Sequence, residues 1–301
     1  MRTQANHMNP ESAAENISPE KKNSNFRAIL RRLVKNKLAM AGGVVLLLLI
    51  LMAIFAPVLT PYSYSEMDML NKFMKPCWAH PMGTDQYGRD ILARVMYGAR
   101  YSLSLGLLAS LLSCITAVII GSIAGFFGGI VDNIILRIFD IFQSIPTILL
   151  TICISSALGS GFFNTILAMA IGGIGGPLRM MRASVLSIRE KEFLEASTAA
   201  NCSRTKLLLK HIVPNTLSPI IVNTTMGISG VIMAVAGLSY LGLGVQPPTP
   251  EWGALLSDAR TYLLIYPYMS IFPGIMIGIT VLAINFFGDG LRDAMDPKLK
   301  N

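Results

Sequence analysis

The chain has 301 residues, of which 52% are apolar and only 14% charged, and its mean hydropathy is +0.55. Soluble domains carry about a quarter charged residues, so this chain cannot cover its own surface in water and lipid is the solvent for much of it. The 25 Lys and Arg against 17 Asp and Glu leave a net charge of +8; that excess admits nucleic acid, an acidic partner or a membrane surface, and the choice rests on where the charges lie.

Residues 1–25 are rich in Asn, Glu and Ser and predict no packed structure. Phe26, Ile29, Leu30 and Leu33 then recur at helical spacing among basic residues up to Lys37. This fits an amphipathic helix on an anionic leaflet or, equally, an unstructured basic flank. Residues 38–59 form the first apolar run, about 33 Å long as a helix and enough for a ~30 Å hydrocarbon core. Its one small-residue cleavage site, Ala53-Ile-Phe-Ala56, is followed by Pro57, so the run is expected to be a retained helix rather than a signal peptide.

Five more candidate spans follow, at residues 101–127, 142–158, 164–178, 217–241 and 268–287. Pro146 is expected in the first turn of the third span, and Gly159, Gly161 and Pro177 interrupt the third and fourth. The predicted fold is all-α: a polytopic membrane protein with six transmembrane helices. Its parts are a cytoplasmic tail (1–37), a first transmembrane helix (38–59), an extracytoplasmic segment (60–100), a transmembrane core (101–287) carrying a cytoplasmic loop (179–216), and a cytoplasmic tail (288–301).

Basic residues near span ends set orientation. With both termini inside, 19 of the 25 basic and 11 of the 17 acidic residues fall on the inner side. The whole net charge of +8 then lies there and the outer side is neutral, so nucleic acid is not needed to explain it. Cys77, Cys114, Cys153 and Cys202 fall in different layers with no Cys-x-x-Cys, which disfavours a disulfide framework and a zinc site. No phosphate-binding Gly-x-x-x-x-Gly-Lys-Ser/Thr loop or His-Glu-x-x-His is present, and no enzyme reading has support. The spans hold hydroxyls and amides (Asn164, Asn223, Thr224, Thr225, Asn285) rather than acids. Proton-driven transporters usually need intramembrane Asp, Glu or His, so these groups read mainly as interhelical hydrogen bonders and any energy source lies elsewhere.

The inner loop is too patterned for a linker. Residues 182–200 predict a helix with Val185, Leu186, Phe193, Leu194 and Ala199 on one face. A turn follows at Asn201-Cys202-Ser203, with Ser203 able to cap, and a second helix, 204–212, is expected to stop before Pro214. Glu195-Ala196-Ser197, the turn at Asn201 and His211-Ile-Val-Pro214-Asn215 resemble the Glu-Ala-Ala loop of ABC importer permeases. Ser197 stands where that family has Ala, and Asn201 where it has Gly; Asn is the next best residue for a left-handed turn. Gly83-Thr84-Asp85 with Gly88-Arg89-Asp90, the segment Leu241 to Arg260 containing Glu251 and Trp252, and the ending Gly288 to Pro297 are similar to the dipeptide/oligopeptide/nickel branch, and to its C-type permease subunit.

The resemblance implies a type I importer permease paired with a homologous second permease, two cytoplasmic ABC ATPases and an extracytoplasmic substrate-binding protein. ATP would be held by the ATPases and no cofactor or metal by this chain. It implies a coupling helix around Glu195 and import of short peptides, with nickel or another metal chelate as the alternative; a secondary transporter or channel is the competing class. Asp85 is expected to cap a helix leading to Ile91, Leu92 and Val95, in a segment that either fixes the first span or meets substrate at the pathway mouth. Asp258 and Arg260 are expected either to meet a docked partner or to form a solvated pair. Trp252 is expected to anchor at the lipid interface.

Overall fold

The computed structural model describes residues 29–199 and 201–295; the first 25 residues and the end of the C-terminal tail, both discussed above, lie outside the described residues. Among the described residues the regular elements are helices, with one isolated bridge between Thr84 and Asp90. In chain order they are α1 (29–35), α2 (Lys37–Leu59), α3 (Ile91–Phe127), α4 (Gly129–Gln143), α5 (Thr147–Leu158), α6 (Phe162–Gly173), α7 (Gly175–Arg189), α8 (Glu192–Ala199), α9 (Arg204–Tyr240), α10 (Trp252–Ala259) and α11 (Tyr268–Met295).

Four helices, α2, α3, α9 and α11, are long and apolar enough to cross a bilayer. The expected third span is instead a pair, α4 and α5, bent by 88°. Pro146 sits at the cap before α5 with an extended ψ of 132°, outside the helix rather than in its first turn. The expected fourth span is divided: α6 has 12 residues, about 18 Å and short of a ~30 Å core. Ile174 keeps helical dihedrals between α6 and α7 (φ −64°, ψ −38°), so the chain runs on with little interruption. Among the described residues four helices, or five spans if the bent pair counts as one, are long and apolar enough to cross, so length and composition alone do not reach the expected count of six. Gly159 and Gly161, at φ 82° and 144°, make the α5–α6 turn in conformations that suit glycine.

Two helices overrun their expected ends. α3 starts ten residues early, at Ile91, because Asp90 and not Asp85 is its cap: the Asp90 carboxylate accepts from the Ala93 amide at 2.6 Å. α11 continues past residue 287 to Met295. α3 is the central post and packs against α2, α6, α7 and α9; α11 packs against α2 and α9. Small residues allow this closeness. A Cβ on Gly121 would lie 2.7 Å from the Leu178 carbonyl oxygen, one on Gly125 2.9 Å from that of Arg182, and one on Gly42 2.6 Å from that of Ala283. In lipid no hydrophobic force drives helices together, so such close packing carries the association. Across the α4–α7 junction, Arg182 donates twice to the Asp132 carboxylate, at 2.6 Å each.

α2 contains Pro57. Proline has no N–H, which strips the carbonyl four residues back of its helical donor; here that is Ala53. The Arg100 guanidinium of α3 replaces it, donating from Nε to the Ala53 oxygen and from Nη2 to the Ile54 oxygen at 2.8 Å. Arg100→Ala is expected to lower stability by about 1 kcal/mol. In a Pro57→Ala background the loss should be smaller, because the restored amide satisfies Ala53. Thermal unfolding of the four purified forms measures this coupling; an equal loss in both backgrounds would refute it.

Candidate functional site

Two groups of singled-out residues lie near opposite ends of α3. The first surrounds its start. The chain from Gly83 to Asp90 folds into a tight loop: Asp85 N–H donates to the Arg89 oxygen at 3.0 Å, Gly88 N–H to the Asp85 oxygen at 3.0 Å, and Ile91 N–H to the Gly83 oxygen at 3.0 Å. Gly83 and Gly88 take φ 79° and 72°. At Gly88 a Cβ would fall 1.7 Å from the Asp68 oxygen, so no other residue fits. The Thr84 hydroxyl donates to the Asn71 oxygen at 2.5 Å and accepts from the Met74 amide at 2.8 Å, tying the loop to the preceding segment.

This loop aims the Asp85 carboxylate inward. One oxygen accepts from the Tyr87 and Arg89 amides at 2.8 and 3.0 Å. The other accepts from Arg89 Nε at 2.6 Å and Arg94 Nη1 at 2.7 Å. Both arginines are 2% exposed. A second carboxylate, Asp258 of α10, accepts from the Nη2 of each at 3.3 Å. Two guanidiniums thus meet two carboxylates, and the buried group is neutral. Asp258 pairs with these arginines and not with Arg260, whose guanidinium lies over the Tyr240 ring. Beside them His80 Nδ1 lies 2.8 Å from Asp90 Oδ2.

Glu251 and Trp252 lock α10 onto the same end of α3. Glu251 caps α10, accepting from the Ala254 amide at 3.0 Å and from the Ser102 hydroxyl at 2.9 Å. Burial pushes its carboxyl above the ordinary carboxylate range, while hydrogen bonds from Gly253, Ser239, Ala254 and Ser102 pull the other way. Trp252 is fully buried and its indole N–H donates to the Val95 oxygen at 3.0 Å. The expected interfacial anchor is therefore a core residue. Gly98 gives it room, since a Cβ there would meet the Pro250 oxygen at 2.1 Å and the indole at 3.0 Å.

The second group sits by the far end of α3, about 45 Å away along its axis, where α7 crosses Gly121 and Gly125. The helix expected over 182–200 breaks: α7 ends at Arg189, and α8 starts afresh at Glu192. Leu194 inserts into a buried cluster with Met181 and Val185 of α7 and Leu207, Leu208, Ile212 and Ile220 of α9. Glu192, Phe193 and Glu195 remain exposed. The Ser197 hydroxyl donates back to the Phe193 oxygen at 2.8 Å, which accommodates a polar group in place of Ala. Asn201 takes φ 58°, the left-handed turn its position calls for, and Cys202 N–H closes the turn on the Ser197 oxygen at 3.2 Å. Ser203 precedes the next helix but makes no side-chain cap bond. That helix does not stop before Pro214. Residues Leu207–Ile212, including His211, form a wide π-type turn, and the chain continues helical through Pro214 to Tyr240. Widening the turn relieves the clash between a proline ring and the carbonyl four residues back.

Residues 117–301 match the family model for the binding-protein-dependent transport system inner membrane component, and residues 24–76 that for the N-terminal transmembrane domain of oligopeptide transport permease C. The dipeptide transport system permease protein of Alkalihalophilus pseudofirmus is 42% identical over 301 residues, covering 100% of this chain and 97% of that one. The oligopeptide transport system permease protein of Bacillus subtilis is 43% identical over 95% of this chain and 94% of its own. A glutathione transport system permease protein of Escherichia coli is 41% identical over 94% of each. A chain of the methionine ABC transporter solved in inward-facing conformations has a TM-score of 0.54 at 18% identity, covering 66% of this chain and 95% of that chain; it shares the fold. This protein belongs to the family of binding-protein-dependent transport system inner membrane components and is a membrane permease subunit of an ABC importer, not itself an enzyme.

Removing one partner from a buried ion pair costs about 3–5 kcal/mol. Asp85→Asn is expected to fall in that range, because both guanidiniums make their short bonds to it. Asp258→Asn should cost less, as its bonds are longer and its side chain is 19% exposed. Thermal unfolding of the two variants in detergent decides the order, and a larger loss at Asp258 would overturn it.

Proposed function

We propose that this chain is the C-type permease subunit of an ATP-driven importer that carries short peptides across the cell membrane by alternating access. In this reading it pairs with a homologous permease, two cytoplasmic ATPases hold the ATP, and an extracytoplasmic binding protein delivers substrate. Both termini face the cytoplasm. The observation that carries the reading is the 42% identity to a dipeptide permease along the whole chain. The relatives described above are named for dipeptide, oligopeptide and glutathione, which favours a peptide over a metal chelate.

The geometry supports a division of labour between the two ends. α8 presents Glu192, Phe193 and Glu195 outward while Leu194 holds it to α7 and α9. A partner that displaces α8 therefore displaces both helices. α9 reaches the other end, where Gly253 of α10 lies against it; a Cβ there would be 2.4 Å from the Ala236 oxygen. Movement at α8 thus has a continuous packed route to the Asp85–Asp258 ion group. The permease needs no catalytic residue: it supplies two conformations whose populations its partners bias.

Glu195→Lys is expected to abolish ATP-driven uptake while membrane insertion and assembly of the complex persist. Uptake and substrate-stimulated ATPase activity at wild-type levels would overturn the coupling role. In a deletion strain carrying this permease, unlabelled di- and tripeptides should compete with labelled dipeptide uptake and chelated nickel should not; the reverse result would establish the chelate. In a background with Cys77, Cys114, Cys153 and Cys202 replaced by Ser, Ser203→Cys is expected to resist an impermeant reagent in intact cells and to react in inverted vesicles, and labelling from outside would reverse the orientation.

A further inference from the structure

The short helix α1 takes no part in either end described above, and its chemistry points to a different partner. Within 29–37 the chain carries Arg31, Arg32, Lys35 and Lys37 and no acidic residue. None of the four forms an ion pair with a described residue. At about 100° per residue, Ile29, Leu30, Leu33 and Val34 cover one side of α1 and Arg31, Arg32 and Lys35 the other. The apolar side is itself divided. Leu33 faces α11 at Gly290, where a Cβ would lie 3.4 Å from the Leu33 side chain and 2.1 Å from Ala39. Leu30 and Val34, one turn apart, stay 49% and 56% exposed.

The direction of α1 is set by Asn36. Its N–H closes α1 on the Leu33 oxygen at 3.1 Å, and its extended backbone (φ −82°, ψ 105°) ends the helix. Its side chain then accepts from the Leu38 and Ala39 amides at 3.1 and 3.2 Å and starts α2. Since α2 is a membrane-crossing helix beginning at Lys37, α1 lies where the span leaves the hydrocarbon. The acids nearby, Asp289 and Asp293, belong to the end of α11, which also brings Arg292.

We propose that α1 is a docking surface for anionic phospholipid: Leu30 and Val34 enter the acyl boundary, and Arg31, Arg32 and Lys35 hold phosphate headgroups. Exposed apolar side chains flanked by cations that pair with no described residue, at the mouth of a span, match the chemistry of that surface and not of neutral lipid. Leu33 on Gly290 ties the bound lipid to α2 and α11 together. Each basic side chain near an anionic surface raises binding about fivefold.

The test uses the full chain, delipidated in detergent, titrated with phosphatidylglycerol or phosphatidylcholine and read by native mass spectrometry. Phosphatidylglycerol should be preferred about tenfold or more. The triple substitution Arg31→Gln, Arg32→Gln, Lys35→Gln should reduce that preference at least about fivefold, and replacement of both arginines by lysine should keep it. A control in the inner loop, Arg204→Gln, Lys206→Gln, Lys210→Gln, should also keep it. Retained preference in the triple variant, or an equal loss in the control, would overturn the proposal. Unchanged circular dichroism and unfolding temperature separate lost binding from lost folding, and the measurement is independent of what the importer carries.

Discussion

A single carboxylate organises one end of the molecule. Asp85 accepts from two backbone amides and two guanidiniums, so both of its oxygens are occupied from opposite sides. Burying two arginines costs several kcal/mol of lost hydration per ion unless their charge is met and their donors are filled. Asp85 supplies that charge, although the buried Arg94 Nε keeps no hydrogen-bond partner among the described residues, because Gly83 and Gly88 let the loop turn back on itself. Arg94 lies in the first turn of α3 and Asp258 in the last turn of α10. The ion group therefore fixes the start of the central post, the loop before it and the short helix that follows α9. Trp252 and Glu251 can pack without solvent because that frame already holds α10 against α3.

Much of the architecture was legible in the sequence, for reasons that also mark where the reading failed. The long apolar runs gave α2, α3, α9 and α11, since nothing but a helix satisfies its own backbone in lipid. Boundaries were less legible because they depend on which neighbouring group caps. Asp85 and Asp90 are both good capping residues, and only the three-dimensional loop assigns Asp90 to the Ala93 amide and Asp85 to the arginines. Trp252 reads as an interfacial anchor from composition alone; its burial depends on Gly98, far away in the chain. The meeting of Asp258 with Arg89 and Arg94 spans 169 and 164 residues, a separation that no local pattern encodes. The loop around Glu195 was legible as helix, turn and helix. The wide turn before Pro214 was not, because proline more often ends a helix than sits inside one.

The two ends use different physics. Around Asp85 the contacts are ionic, directional and buried, which resists sliding. Around Leu194 they are apolar and less directional, with three helices sharing one cluster, and the outward face of α8 is left to solvent. A segment attached in this way can shift without breaking a hydrogen-bonded network, whereas the ion group is held by directional bonds.

The polar groups within the spans complete the same argument. Thr116, Ser122 and Thr225 donate to carbonyls one turn back in their own helices, at 2.8, 3.0 and 2.9 Å. Ser229 donates to the Asn285 amide oxygen at 2.7 Å, joining α9 to α11. Asn164 donates to the Leu158 and Gly159 oxygens at the α5–α6 turn. Of these only the Ser229–Asn285 bond joins two spans, and the Thr224 hydroxyl is buried with no hydrogen-bond partner among the described residues. Arg94 and Arg100 lie in the first ten residues of α3, Lys206, Lys210 and His211 in the first turns of α9, and Asp289, Arg292 and Asp293 near the end of α11. Among the described residues the four membrane-length helices thus carry their charged side chains toward their ends. The described residues join the two ends by packing: Leu194 holds α8 to α7 and α9, and α9 alone runs on to meet α10 at Gly253.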